Sequence, residues 1–400
     1  MPLAIGYVHR VITPALDRPV YLAGFGQNRV AQSVHDDLYV RALALTLGET
    51  RLVLTALDLL GLARAHCLEI EQRVNQTWPR TRVILASTHT HHGPDPIGLW
   101  GPDQTTSGVD PAYISAVKDQ AVSTIVAACG QTQPADLRAA SARVPGVAKN
   151  ARDPEIVDDE LTGLQFCAPD TGKALATLLI FPCHPEVLWE HNPHITSDYP
   201  HVLRREIEAA TGAPCLFFSG ALGGMMTPDV KEHSFDEAEV MGRALAQAAL
   251  RMLATGPVEP VEALAHYRRE YAVPMTNPLF HRAMEAGLLP NTMTTEGVVR
   301  TEANLLKIGP AWLAAVPGEL LPKLGLELKA DLGRAGARVA AVIGLANDEL
   351  GYILPPEVFA YPENPFEPGD HYEETMSIGP EAGPRLMGAM HFLIETADAR

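Results

Sequence analysis

The feature that most constrains this chain is a unit that keeps returning: a short apolar run, a polar loop, then a stretch with helical spacing. Residues 52–57 (LVLTAL) read as a strand ending at Asp58, with an amphipathic helix over 63–76 behind it. Residues 83–86 (VILA) read as a buried strand running into Ser87-Thr88-His89, and 111–129 carry helical spacing with few breakers. The pattern returns as a strand over 175–182 ending at His184, a helix over 199–210, and a strand over 215–219 entering the turn Gly220-Ala221-Leu222-Gly223-Gly224. A long Ala-rich helix over 235–253 follows. A strand over 311–316 then meets Pro317-Gly318-Glu319, a helix over 320–331, a strand over 339–345, and a Pro/Gly-rich segment to about Pro384. Short apolar runs without strict alternation are strands buried on both faces, and such strands alternating with helices build an α/β architecture. The expected fold is a mixed β-sheet core flanked by helices. No internal repeat and no low-complexity linker is visible, and residues 255–262 (TGPVEPVE) mark a candidate subdomain seam.

Composition narrows the class. With 400 residues, 46% apolar and 20% charged, the chain is globular rather than disordered. It is long enough to bury roughly three quarters of its unfolded surface without disulfide staples. We expect one domain over residues 1–400. A net charge of −17 argues against nucleic acid or an anionic membrane as a partner, since both need a basic footprint. The five cysteines (Cys67, Cys129, Cys167, Cys183, Cys215) are widely spaced and form no CxxC, which suits buried, reduced thiols. The N-terminus lacks a basic region followed by an apolar run, and no apolar stretch approaches the roughly 20 residues that span a bilayer. The expected setting is cytoplasmic, with a small-molecule substrate, no stable membrane insertion, and self-association left open.

In open α/β sheets, ligands gather beyond the carboxyl ends of strands. Here those ends carry His89, His184, Glu319 and Asn347. In Ser87-Thr88-His89-Thr90-His91-His92-Gly93-Pro94-Asp95, a strand's period of two puts His89 and His91 on one side. Two such imidazoles suit zinc, one ligating and the other binding or moving protons; a surface loop rich in His is the alternative. His184, between Pro182 and Pro185, is a structural histidine or a second ligand. Glu319 is a first-turn helix residue favoured by the dipole, or an oxygen ligand. The glycine turn before Thr227 lets backbone N–H groups approach a substrate, or is simply tight, and it is not a Walker A loop because no Lys follows. His191, His194, Asp198 and His201 read as outer-layer or surface groups.

Taken in order, these pieces resemble the catalytic domain of the neutral/alkaline, non-lysosomal ceramidase family. The residues that carry the resemblance begin with Val11-Ile12-Thr13-Pro14, Leu22-Ala23-Gly24-Phe25-Gly26, His35 to Ala42 and Ser87 to Pro94. They continue with Asn150-Ala151-Arg152, His184-Pro185, Ser197 to Pro200, Ser219 to Pro228, Pro317-Gly318-Glu319 and Gly344 to Tyr352, so that about residues 3–385 are covered. The resemblance implies a zinc-dependent amidase. It places zinc ligands on His89, His184, Glu319 and Tyr352, a catalytic histidine at His91, and a substrate-contacting arginine at Arg152. Where the family carries its catalytic Ser in Gly-Asp-x-Ser-Pro, this chain has Gly224-Met225-Met226-Thr227-Pro228, so the Asp is replaced and the hydroxyl belongs to Thr227. Both a Thr227 nucleophile and a metal-activated water therefore stay open. The family's additional C-terminal immunoglobulin-like domain has no room, since Tyr352 lies 48 residues before Arg400. Only 6% of the residues are aromatic. The expected activity is hydrolysis of an amide or ester bond in a soluble, non-ceramide substrate. The alternatives are an esterase, deacylase or lyase acting on a carbohydrate-derived molecule, or a homologue that binds without turnover.

Overall fold

The computed structural model describes residues 2–289, 293–294, 296–365 and 367–399. Three mixed sheets make up most of it, and each is built by the same sequence of elements. The first contains Ala4–Val11, Tyr39–Leu47 and Thr50–Leu57 in antiparallel order. Helix Arg64–Thr77 crosses over to Thr81–Ser87, which pairs parallel to Thr50–Leu57. Helix Pro111–Gly130 closes the unit. The second repeats this with Asp136–Arg143, Glu160–Cys167 and Ala174–Phe181, helix Tyr199–Thr211, the parallel strand Cys215–Ser219 and helix Phe235–Thr255. The third uses Leu264–Pro274, Val298–Ile308 and Ala311–Ala315, helix Pro322–Arg334, the parallel strand Val339–Ile343 and helix Ala382–Asp398. The expectation of no internal repeat is thus corrected. The repeat lies in strand order and pairing rather than in residue identity, because burial constrains polarity pattern far more tightly than it constrains which apolar residue is used.

The period of two along each strand explains how the units assemble. Leu52, Leu54 and Ala56 of the first unit share one buried cluster with Leu164, Phe166, Leu178 and Ile180 of the second and Leu306, Leu313, Ala341 and Ile343 of the third. The alternate residues pack outward on each unit's own two helices. Val53 and Leu57 meet Ile70, Val117 and Ile125. Leu179 and Phe217 meet Leu203, Leu245 and Ala249. Leu305 and Ala314 meet Leu328, Leu386 and Met390. Strands buried on both faces in this way are the ones whose sequences read as continuous apolar runs.

The fourth strands converge at their carboxyl ends. The Ser219 hydroxyl donates to Thr88 O at 2.7 Å, Gly344 N donates to Ser219 O at 2.9 Å, and Ser87 N donates to Leu345 O at 3.2 Å. Each unit therefore touches both others at this point. Residues 255–262 lie between the second and third units, but they also tie them together, since Glu259 pairs with Leu137 and Val261 enters the shared core.

Several elements depart from the sequence expectations. The helix expected from residue 320 begins at Pro322, because Glu319–Leu320 pair in parallel with Tyr352–Ile353 first. Proline suits that first helical position, where its missing N–H has no partner to lose. Within and beyond the Pro/Gly-rich segment lie the short helix Tyr372–Thr375 and the start of Ala382–Asp398. Among the described residues no helix is long and apolar enough to cross a membrane. All five cysteines are free and buried.

Candidate metal centre and its cavity

The strand Thr81–Ser87 delivers the chain into the point where the units meet, but it ends before His89. His89 has φ +68, a left-handed conformation that histidine tolerates better than most residues. This corrects the expectation that strand alternation aligns His89 with His91. A backbone reversal brings the two rings to a centroid distance of 4.8 Å at 73°. Irregular backbone of this kind concentrates at functional sites.

His184 arrives from the end of Ala174–Phe181 in the second unit, and its ring lies 5.0 Å from that of His89 and 5.5 Å from that of His91. Both outer imidazoles are oriented by main-chain carbonyls. His89 Nδ1 lies 2.7 Å from Leu60 O, and His184 Nδ1 lies 2.9 Å from Met226 O. An N–H at Nδ1 donates to each carbonyl, so Nε2 carries the free lone pair. Those Nε2 atoms face the Glu319 carboxylate, at 3.5 Å from His89 and 3.1 Å from His184. Glu319 comes from the third unit. Its pairing with Tyr352 sets the two side by side on one wall, where Tyr352 donates its hydroxyl to Met225 Sδ at 3.3 Å.

The charges reinforce one another. Burial alone would raise the Glu319 carboxyl, but His89 and His184 outweigh it and hold the group below the usual carboxylate range. Burial alone would lower His184, but Glu186 and Glu319 outweigh it and raise it. An arrangement that favours positive charge on nitrogens facing a carboxylate also suits a metal dication. His89, His91 and His184 offer ring nitrogens within 4.8 Å of one another, and both His91 nitrogens are buried without a hydrogen-bond partner. Two imidazoles of fixed tautomer, a buried carboxylate and an adjacent phenol are donor types that zinc takes, so the residues fit that ion.

His89, His91, Glu319 and Tyr352 form one end of a cavity of about 670 Å³. Most of the remaining wall is apolar, with Leu60, Ile97, Trp100, Met275 and Phe280 among its residues, and Tyr372 beside the centre. The other two expected site residues stand behind this wall. Thr227 is buried, pairs with Lys149 between short strands, and is not among the residues that line the cavity. Arg152 bonds Glu374 at 2.8 and 3.0 Å and Glu373 at 2.6 Å, immediately after Tyr372, so its guanidinium braces the wall instead of lining the cavity.

Sequence reasoning assigned no role to three groups that shape the site. Glu186 is fully buried two residues after His184. Gly24, at φ +109, passes so close to His91 that a Cβ there would lie 2.6 Å from its ring. Asp58, at the end of Thr50–Leu57, is held by a buried two-point contact with Arg204 at 2.7 and 3.0 Å and receives the Thr88 hydroxyl beside His89. The available signals were an acid inside an otherwise apolar loop and a glycine beside an aromatic residue, both too common to single out.

A buried cluster of histidines and a carboxylate at the head of an apolar chamber is the arrangement of a metal-assisted enzyme. The family model described as "Neutral/alkaline non-lysosomal ceramidase, N-terminal" matches residues 5–214, and this chain belongs to that family, one of amide-bond hydrolases. No curated protein matches the sequence. Among solved structures, the neutral ceramidase from Pseudomonas aeruginosa is similar over all of this chain and 74% of its own, with 19% identity and a TM-score of 0.78. A ceramidase complexed with C2 is similar over all of this chain and 75% of its own, with 18% identity and a TM-score of 0.79. At that identity the likeness is one of fold.

Proposed function

We propose that this chain is a zinc-dependent hydrolase of an amide or ester bond, acting on a compact soluble acyl compound rather than on ceramide in a membrane. The observation that carries the reading is the pair His89 and His184, each with Nδ1 engaged by a backbone carbonyl and Nε2 turned to Glu319. His89, His184, Glu319 and Tyr352 would hold the ion. Bound there, zinc supplies a Lewis acid that polarises a carbonyl and lowers the pKa of water toward about 7.

The chain's own residues do the rest. His91 lies at the cavity end beside both ligand histidines, where an imidazole can take a proton from an attacking group and return it to a leaving amine or alcohol. The apolar wall holds the acyl portion and excludes water, and its volume falls in the range typical of small-molecule sites. Arg152, through Glu373 and Glu374, fixes the segment that carries Tyr372. The net charge of −17 and the buried free thiols support a soluble protein of a reducing compartment.

Metal analysis together with a panel of p-nitrophenyl esters, short N-acyl amides and short-chain ceramides tests this. We expect about one zinc per chain and turnover of the water-soluble substrates. We expect His89→Ala to lose the metal and more than the 10–100-fold that removing an outer-layer partner costs. A wild-type protein without zinc, or a His89→Ala variant with full activity, would remove the proposal. Turnover confined to ceramides would overturn the substrate assignment alone.

A further inference from the structure

Glu186 has no place in the ligand set, yet it is the most unusual carboxylate in the molecule. It is fully buried, and neither oxygen has a hydrogen bond of ordinary geometry among the described residues. Folded proteins rarely leave a buried polar group in that condition, so the group calls for a role. Its Oε2 lies 3.4 Å from His91 Nδ1. The backbone holds this pair in register, because His91 N donates to Pro185 O at 3.3 Å and Glu186 N donates to His184 O at 3.0 Å. The His91 ring is held on its other sides as well. Gly24 packs against Cγ and Nδ1, and Phe25 lies edge-on at a centroid distance of 5.0 Å. His89 and His184 owe their tautomers to backbone carbonyls. Among the described residues no carbonyl does this for His91, whose Nδ1 instead lies 3.4 Å from Glu186 Oε2.

We propose that Glu186 is a positioning residue: its carboxylate accepts the Nδ1–H of His91, fixes that imidazole in a single tautomer, and leaves Nε2 unprotonated at the head of the cavity. An acid/base imidazole needs a partner of this kind, because the nitrogen that meets the substrate is useful only if the other one holds the proton. The catalytic consequence rests on the hydrolase reading above. The tautomer does not.

Three variants separate the possibilities. Glu186→Met keeps the length and removes the acceptor; Glu186→Gln keeps an acceptor oxygen; His91→Gln assigns the His91 signal among the 15 histidines. Two-bond ¹H–¹⁵N spectra of histidine-labelled protein distinguish the Nδ1–H from the Nε2–H form. We expect wild type and Glu186→Gln to show His91 as Nδ1–H, and Glu186→Met to show a mixture or the Nε2–H form. We also expect Glu186→Met to keep its zinc, since Glu186 has no place in the ligand set. Its kcat should fall about 10–100-fold with KM unchanged, and Glu186→Gln should recover most of that loss. A Nδ1–H tautomer retained in Glu186→Met, or wild-type kcat in that variant, overturns the proposal. So does loss of zinc from it, which would make Glu186 a support for the metal instead. If the wild-type protein hydrolyses nothing in the panel, the functional reading fails while the spectra still decide the role of Glu186.

Discussion

At the scale of single residues, the centre depends on which nitrogen of each histidine is free. His89 and His184 each lean on a carbonyl, Leu60 O and Met226 O, that the segment following the neighbouring parallel strand delivers. The resemblance leaves Thr227 open as a nucleophile or as a bystander to a metal-activated water, and its side chain is buried and absent from the residues that line the cavity. We therefore expect Thr227→Val to keep most of its activity in steady-state assays and to form no acyl adduct detectable by intact-mass analysis. A loss of about 10²–10⁴-fold, the range for a group taking part in proton transfer, would return Thr227 to the chemistry. His89, His184 and Glu319 stood out in the sequence because each closely follows an apolar strand. The left-handed turn at His89 did not, since nothing in Thr-His-Thr-His announces a reversal that tertiary contacts impose.

At the scale of elements, burial explains only part of what is legible, since Tyr39–Leu47 and Glu160–Cys167 are buried along most of their length and yet were not read as strands. The strands Thr50–Leu57, Ala174–Phe181, Cys215–Ser219 and Ala311–Ala315 are buried along most of their length and read correctly as apolar runs. Their antiparallel neighbours were missed. Leu264–Pro274 carries Arg268, Arg269 and Glu270 at its centre, where Arg268 meets Glu302 of the adjacent strand at 2.5 Å and Glu71 of helix Arg64–Thr77 at 3.1 Å. A half-covered strand that spends its polar side on ion pairs has no apolar run to display. The helices show the opposite case: Pro322–Arg334 was foreseen from spacing alone and buries Leu324, Leu328 and Leu332 against the third sheet. Leu328→Ala should cost about 2–5 kcal/mol in denaturant unfolding, as a fully buried leucine does when its site cannot collapse, while zinc content stays unchanged. A cost below 1 kcal/mol would show that this helix is not part of the cooperative core.

At the scale of the whole molecule, three units of the same topology meet where their fourth strands end, and each sends its own side chains there. His89 comes from the first, His184 from the second, Glu319 and Tyr352 from the third. Below the centre, Arg204 of the second unit grips Asp58 of the first, and Asn347 of the third unit accepts Leu85 N and donates to Glu302. An ion held by all three units would stabilise their docking, since it would bind only the assembled state. Zinc at 100 times its dissociation constant should raise unfolding free energy by about 2.7 kcal/mol, visible as a higher melting temperature that a chelator reverses. Identical melting curves with and without zinc would mean that the ion does not bridge the units.

The meeting point can also be viewed as the interface of a trimer whose three subunits share one continuous backbone. In a true homotrimer, a residue placed on the axis appears three times, and every substitution is made in triplicate. Here the three places around the axis are independent: an imidazole, another imidazole, and a carboxylate paired with a phenol. Covalent linkage thus lets a framework of three like units carry an unsymmetrical set of side chains at their junction, with each corner open to change while the other two stay as they are.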